Sequence, residues 1–362
     1  MLRHLAETLA FAVAGGLTLG FLGMPAGFLS GSILAVAGAS LAGRPMLIPT
    51  AMMRILLVLI GISLGSVVTP ETLHGMATYP LSIAALIVAM TCISFSGAFY
   101  LRAVHGWDKL TAYLAAAPGG LSQVMGLAVE LDSDVRAIAI VQTVRVVIIA
   151  VGLPAALALL GLVGHATGNV GGSFNPGQLD ELAILVVAST VAAIVAYRVR
   201  FPGGLLFGAM LTSGALHGSG LIHVAMPWWA TNTVMIAFGA VTGSRFANTP
   251  LRMLLHYLGA AFGSFAIALT ITAIFAAGLV GLLTLPVAEV MIAFAPGAVD
   301  AMMLLALALH LDPVYVGAHH LTRIFFVSMT MPLVARHSAR RLKPPDDASK
   351  PPRPRPRPPF ED

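Results

Sequence analysis

The sequence predicts an all-α polytopic membrane protein made of two inverted repeats, each with five crossing helices and one Pro-Gly-interrupted re-entrant hairpin. Three observations predict it. Of the 362 residues, 58% are hydrophobic and only 10% charged, and the mean hydropathy of +0.91 lies outside the range of soluble domains. Apolar windows of about 20 residues, the length a span requires, recur along nearly the whole chain and leave no room for a sizeable soluble domain. A unit of arm, break, arm and long helix occurs twice. Ala117, Pro118, Gly119, Leu131, Asp134, Arg145 and Pro154 align without a gap with Ala295, Pro296, Gly297, Leu309, Asp312, Arg323 and Pro332, 178 residues further on.

Taken in order, the first apolar run covers 5–22; one arginine precedes it and no clear cleavage site follows, so it reads as a retained helix rather than a removed leader. Runs at 26–42, 52–68 and 81–101 follow as spans. The interrupted unit covers 108–131, broken at Pro118-Gly119-Gly120, and a long helix covers 135–160. The second half repeats this order at 180–197, 203–218, 228–246, 253–279, 287–309 and 313–335. The duplication extends to the glycines: Pro25, Gly27 and Gly31 return as Pro202, Gly204 and Gly208, and Gly61, Gly65 and Ser66 as Gly239, Gly243 and Ser244. Small residues four apart let membrane helices approach closely, which makes packing the favoured role for them.

Loop charge sets the orientation, because Lys and Arg in short loops favour the cytoplasmic side. In the first half Arg3, Arg44 with Arg54, and Arg102 with Lys109 mark the N-terminus and the second and fourth connections. In the second half Arg198 with Arg200 and Arg245 with Arg252 fall on the opposite phase if every segment crosses. One segment per repeat must therefore return to its own side. The interrupted unit is the candidate, since each arm of about ten residues spans only about 15 Å as helix. Ten crossings result, with the repeats at 1–178 and 179–342 and a Pro/Arg-rich, disordered cytoplasmic tail at 343–362.

Arginine inside a span is costly and is kept where it pairs, faces a cavity or binds something. Arg145 and Arg323 admit two readings. In one, two symmetry-related guanidinium groups and the half-helix starts at Gly119-Gly120 and Gly297-Ala298 make a mid-membrane anion site. In the other, each arginine offsets the C-terminal dipole of a neighbouring half-helix or pairs with an acid such as Asp300. Ser122, Gln123, Gln142 and His320 complete the candidate substrate-binding set, with Thr143 and His319 as further donors and acceptors. Asp300 stands where the first repeat has Ser122, so the two tips differ chemically. Glu130, Asp132, Asp134, Arg136 and Asp312 read as turn residues near the membrane surface. The single cysteine, Cys92, excludes a disulfide framework and a thiolate metal site. The histidines show no pair three or four apart, and no P-loop is present, so neither a metal centre nor ATP-driven transport is expected.

The paired breaks, each followed by an aspartate turn and a helix with a central arginine, resemble the AbrB-type duplicated bacterial membrane protein family, whose labels include ammonia monooxygenase and regulator of gene expression. The resemblance implies a multi-pass protein of the bacterial inner membrane, similar to inverted-repeat secondary carriers. The expected function is secondary transport of a small anionic solute between the two tips, without a cofactor or catalytic residue and with H+ or Na+ as the coupling ion. A membrane-bound regulator and a membrane monooxygenase are the alternatives. The expected partners are the lipid bilayer and the solute, with a homo-oligomer left open and nucleic acid excluded.

Overall fold

A computed structural model describes residues 2–68, 79–119, 121–163, 171–173, 176–247 and 249–342, apart from the side chains of 121–123, 176 and 331–342. The tail at 343–362 lies outside the described residues. The helices are α1 (Leu2–Phe21), α2 (Gly27–Leu41), α3 (Thr50–Gly65), α4 (Tyr79–His105), α5 (Lys109–Ala116), α6 (Leu121–Glu130) and α7 (Val135–Leu159). The order then repeats as α8 (Leu179–Arg198), α9 (Gly204–Gly218), α10 (Trp228–Gly243), α11 (Leu251–Leu283), α12 (Val287–Phe294), α13 (Val299–Ala308) and α14 (Pro313–Leu342). Five helices have matching lengths in the two halves: 20 residues for α1 and α8, 15 for α2 and α9, 16 for α3 and α10, 8 for α5 and α12, and 10 for α6 and α13.

Local chemistry explains the boundaries. Pro49, Pro227, Pro250 and Pro286 stand in extended conformation immediately before α3, α10, α11 and α12, where a missing N–H costs nothing. Asp108 and Asp134 cap α5 and α7, each carboxylate accepting from two backbone N–H groups of the first turn. Inside α7, Pro154 removes the bond that the Ala150 carbonyl would otherwise receive. Ser30 on α2 fills the gap, its hydroxyl donating to that carbonyl at 3.3 Å. A sequence break in one helix thus becomes a tie to another.

Among the described residues five helices, α1, α4, α7, α8 and α11, are long and apolar enough to cross a membrane. The four helices expected as spans at α2, α3, α9 and α10 have only 15 or 16 residues, about 23 Å of helix against a hydrocarbon core of about 30 Å. Large apolar side chains of α1, α4, α8 and α11, such as Phe95, Phe99, Val191, Phe262 and Ile274, point outward. Such an apolar exterior suits lipid rather than water.

The repeats pack by exchange. α2 lies on α10 and α3 lies on α9, while α4 lies on α11. Gly61 on α3 faces the Leu206 carbonyl of α9, and Gly239 on α10 faces Ser32 and the Leu29 carbonyl of α2. Leu206 and Leu29 are themselves equivalent in the duplication. The glycine pairs therefore do pack helices: Gly61 with Gly65 and Gly239 with Gly243 across the two halves, Gly27 with Gly31 and Gly204 with Gly208 within each half, where α2 lies on α1 and α9 on α8.

Candidate functional site

The first residues of α5 and the turn after α6 meet. The Asp134 N–H donates to the Thr111 hydroxyl at 3.2 Å, so the two arms form a hairpin with its ends together. The second unit repeats the contact, with the Asp312 N–H donating to the Glu289 carboxylate at 3.3 Å. Tyrosines clasp both turns from the opposite half: the Tyr79 hydroxyl donates to Asp312 at 3.3 Å and the Tyr257 hydroxyl to Asp134 at 3.5 Å. The half-buried Asp312 carboxyl is pushed above its usual range by burial, against the lowering effect of its hydrogen bonds from Val314, Tyr315 and Tyr79.

At each hairpin's inner end an 8-residue arm stops inside the protein. A helix end leaves four carbonyls without intrahelical donors and a partial negative charge, and away from water each orphan costs about 1–3 kcal/mol. Buried side chains meet that need. Arg145 donates through Nη1 and Nη2 to the carbonyls of Ala116 and Ala117, both at 3.2 Å, and Gln142 donates to Leu114 at 2.8 Å. Arg323 donates through Nη1 to Ala295 at 2.7 Å and Gly297 at 3.4 Å, and through Nη2 to Ala293 at 3.0 Å. Thr272 reaches the remaining Phe294 carbonyl at 3.4 Å.

His320 occupies the position of Gln142 in the duplication and lies by the Ile292 carbonyl, the counterpart of Leu114. Among the described residues neither of its ring nitrogens has a well-directed hydrogen-bond partner. His319, its neighbour, is bonded instead to Ser82 at 2.8 Å and to the Tyr315 carbonyl at 2.7 Å. The Nε of both arginines is buried and has no hydrogen-bond partner among the described residues.

The structure thus brings Gln142 and Arg145 to one break and Gly297, His320 and Arg323 to the other. Gly119 packs against Val327 of α14, and Gly297 against Met302; neither has a positive φ, so close approach and not a left-handed turn accounts for glycine there. Gly120 lies outside the described residues, and Ser122 and Gln123 are within α6 with side chains not described. Asp300 is separated from the arginine cages. Among the described residues no ion pair joins it to Arg145 or Arg323. It lies instead on the wall of a cavity of about 760 Å³ with Arg198, Arg200, Arg245, Ala298 and Val299. Among the described residues, no three His, Cys, Asp or Glu side chains gather to hold a metal.

Sequence reasoning missed Thr111, Glu289, Tyr79, Tyr257 and Thr272. The 178-residue spacing that links Tyr79 to Tyr257 and Thr111 to Glu289 was the available signal.

These features define a class: an apolar helical membrane protein whose two duplicated halves each hold an arginine-capped helix break. A family model described as AbrB, transition state regulatory protein AbrB, matches residues 28–339, and the chain belongs to that family. It is 25% identical over 324 residues to the Escherichia coli (strain K12) protein named "Putative regulator AbrB", covering 88% of this chain and 92% of that one. It is 23% identical over 348 residues to "Uncharacterized protein YhjN" of Bacillus subtilis (strain 168), covering 90% of each.

Proposed function

We propose that this protein is a secondary transporter of a small anionic solute in the bacterial inner membrane, working by alternating access between two inverted repeats. The observation that carries the reading is the pair of capped breaks. Irregular backbone at membrane depth is tolerated only where protein buries it or where it lines a cavity, and discontinuous helices of this kind form the midplane sites of carriers.

Four contacts support inversion. Tyr79 begins α4 and meets Asp312 at the head of α14. At the other end of α4, the Tyr100 hydroxyl donates to the Gly259 carbonyl near the head of α11, and His105 adjoins Gly259. Tyr257, also near the head of α11, meets Asp134 at the head of α7. These contacts favour α7 and α14 starting from opposite ends of the bundle, each beside a re-entrant hairpin. On this reading the connections 131–134 and 343–362 are cytoplasmic and 161–178 and 309–312 periplasmic. Single cysteines at 132 and 310 in a Cys92→Ala background should react from opposite sides of the membrane; reaction from one side would end the inversion argument.

Protons have candidate carriers in the Asp312 and Glu289 carboxyls, which leaves H+ ahead of Na+ as the coupling ion. The regulatory role in the name of the Escherichia coli relative would follow here from altered solute levels, without nucleic-acid binding. Transport is tested on purified protein with succinate, citrate, inorganic phosphate and sulfate. At least one should raise the melting temperature, since ligand at 100 times its Kd stabilises by about 2.7 kcal/mol, and the same anion should enter proteoliposomes. If none of the four stabilises the protein or enters above empty vesicles, the anion-carrier reading fails.

A further inference from the structure

We infer that the basic cavity at the head of α13 is an anion-binding site, with Arg198, Arg200 and Arg245 as its cations, where a carboxylate-, phosphate- or sulfonate-bearing solute is first captured. The inference deepens the transport reading and rests on it for the solute's onward path. Three arginines and one acid, Asp300, line the cavity, whose volume of about 760 Å³ suits a small metabolite. Ala298 and Val299 also line it, where α13 begins with no side-chain cap on its free N–H groups, a partial positive charge added to the arginines and partly offset by Asp300 in the first turn. The Nη1 of Arg245 is buried and has no hydrogen-bond partner among the described residues. A buried guanidinium donor without an acceptor is costly, and a small rotation of this side chain toward the cavity would let a bound anion supply one.

Comparison of the repeats isolates what is special here. Arg198, Arg200 and Arg245 stand where the first repeat has Phe21, Gly23 and Val67. The turn before α9 copies the turn before α2. Gly23 has φ 72° and Ala26 φ 52°, and their counterparts Arg200 and Gly203 have φ 59° and φ 68°. Arg200 thus holds a left-handed position that glycine holds without strain in the other copy. The preference of cytoplasmic loops for basic residues accounts for an arginine on this side of the bundle. It does not require one at the strained position, nor the convergence of all three on one cavity.

The cavity also changes the roles of the membrane-depth arginines. Arg145 and Arg323 spend their Nη donors on carbonyls, whereas Arg198, Arg200 and Arg245 make no ion pair among the described residues. Capture belongs to the second group, and the first caps the breaks.

Charge-selective labelling tests this without knowledge of the solute and without flux, so it can fail while transport stands, or stand while transport fails. In a Cys92→Ala background, Val299→Cys is reacted in detergent with an anionic sulfonatoethyl and a cationic trimethylammonium-ethyl methanethiosulfonate, each rate divided by that reagent's rate with a free thiol. The anionic reagent should be favoured by about tenfold or more, from the local potential of a basic cleft. Arg245→Gln should reduce the ratio, and adding Arg198→Gln and Arg200→Gln to it should bring the ratio near one. Leu57→Cys, elsewhere on the cavity wall, repeats the measurement should Val299→Cys fail to fold. Equal normalised rates, a ratio indifferent to the arginines, or a cysteine inert to both reagents would overturn the site.

Discussion

Replacement of Arg323 by alanine is expected to lower the stability of the folded protein by on the order of 3 kcal/mol or more, from the loss of charge-assisted bonds to three buried carbonyls. Arg145→Ala should cost less, since two carbonyls lose a donor there. Lysine separates the roles. It keeps the charge beside the helix end but can reach fewer carbonyls than the planar fork, so Arg323→Lys should fall between wild type and alanine. Anion affinity should follow stability only weakly, because the cavity arginines are untouched. Melting temperature and anion affinity for the three variants decide the matter. An alanine form that melts with wild type would show the carbonyl cage to be dispensable.

Gly61→Val and Gly239→Val should each prevent or severely impair folding. A Cβ at Gly61 would run into the Leu206 carbonyl and at Gly239 into Ser32 and the Leu29 carbonyl. Overpacking against side chains costs about 1–3 kcal/mol; backbone cannot move aside as a side chain does, so the cost here should exceed that range. Gly38 and Gly278 are the controls, since a Cβ there meets nothing within 4 Å. Alanine at either should be neutral, or stabilising by up to about 1 kcal/mol through helix propensity. Yield and monodispersity in detergent read out all four. Equal behaviour of the valine and control forms would remove the glycine contacts as the joint between repeats.

The helices and their order were legible because apolar runs, prolines and the repeated Pro-Gly step are local signals. Arg145 and Arg323 stood out because charge in an apolar run is conspicuous, yet two physical accounts predict the same sequence. A guanidinium that caps carbonyls and one that grips an anion look alike until the carbonyls are located. His319 and His320 are adjacent in sequence, and only packing assigns one to Ser82 and the other to the Ile292 carbonyl. Arg198, Arg200 and Arg245 read as topology markers, because their convergence on the head of α13 depends on contacts between distant segments. The bounds of α2, α3, α9 and α10 were read closely from their apolar runs, and Gly43 and Gly220, at φ 84° and φ 71°, turn the chain after α2 and α9.

The exchanged glycine contacts have a consequence for biosynthesis. α3 has no partner for its Gly61 face until α9 is made, and the face of α2 that receives Gly239 must wait for α10. At ribosomal rates of about 5–20 residues per second, the roughly 145–210 residues separating these partners take on the order of ten to forty seconds. During that interval a nascent half inserted in the bilayer presents two small-residue grooves to whatever helices lie nearby. A second nascent half offers the same surfaces, so crowded synthesis would join halves from different chains. The cell's protection against such mispairing is then a matter of timing and of chaperoning insertases, and slowing translation between the repeats should increase cross-linked dimers at the expense of monomer.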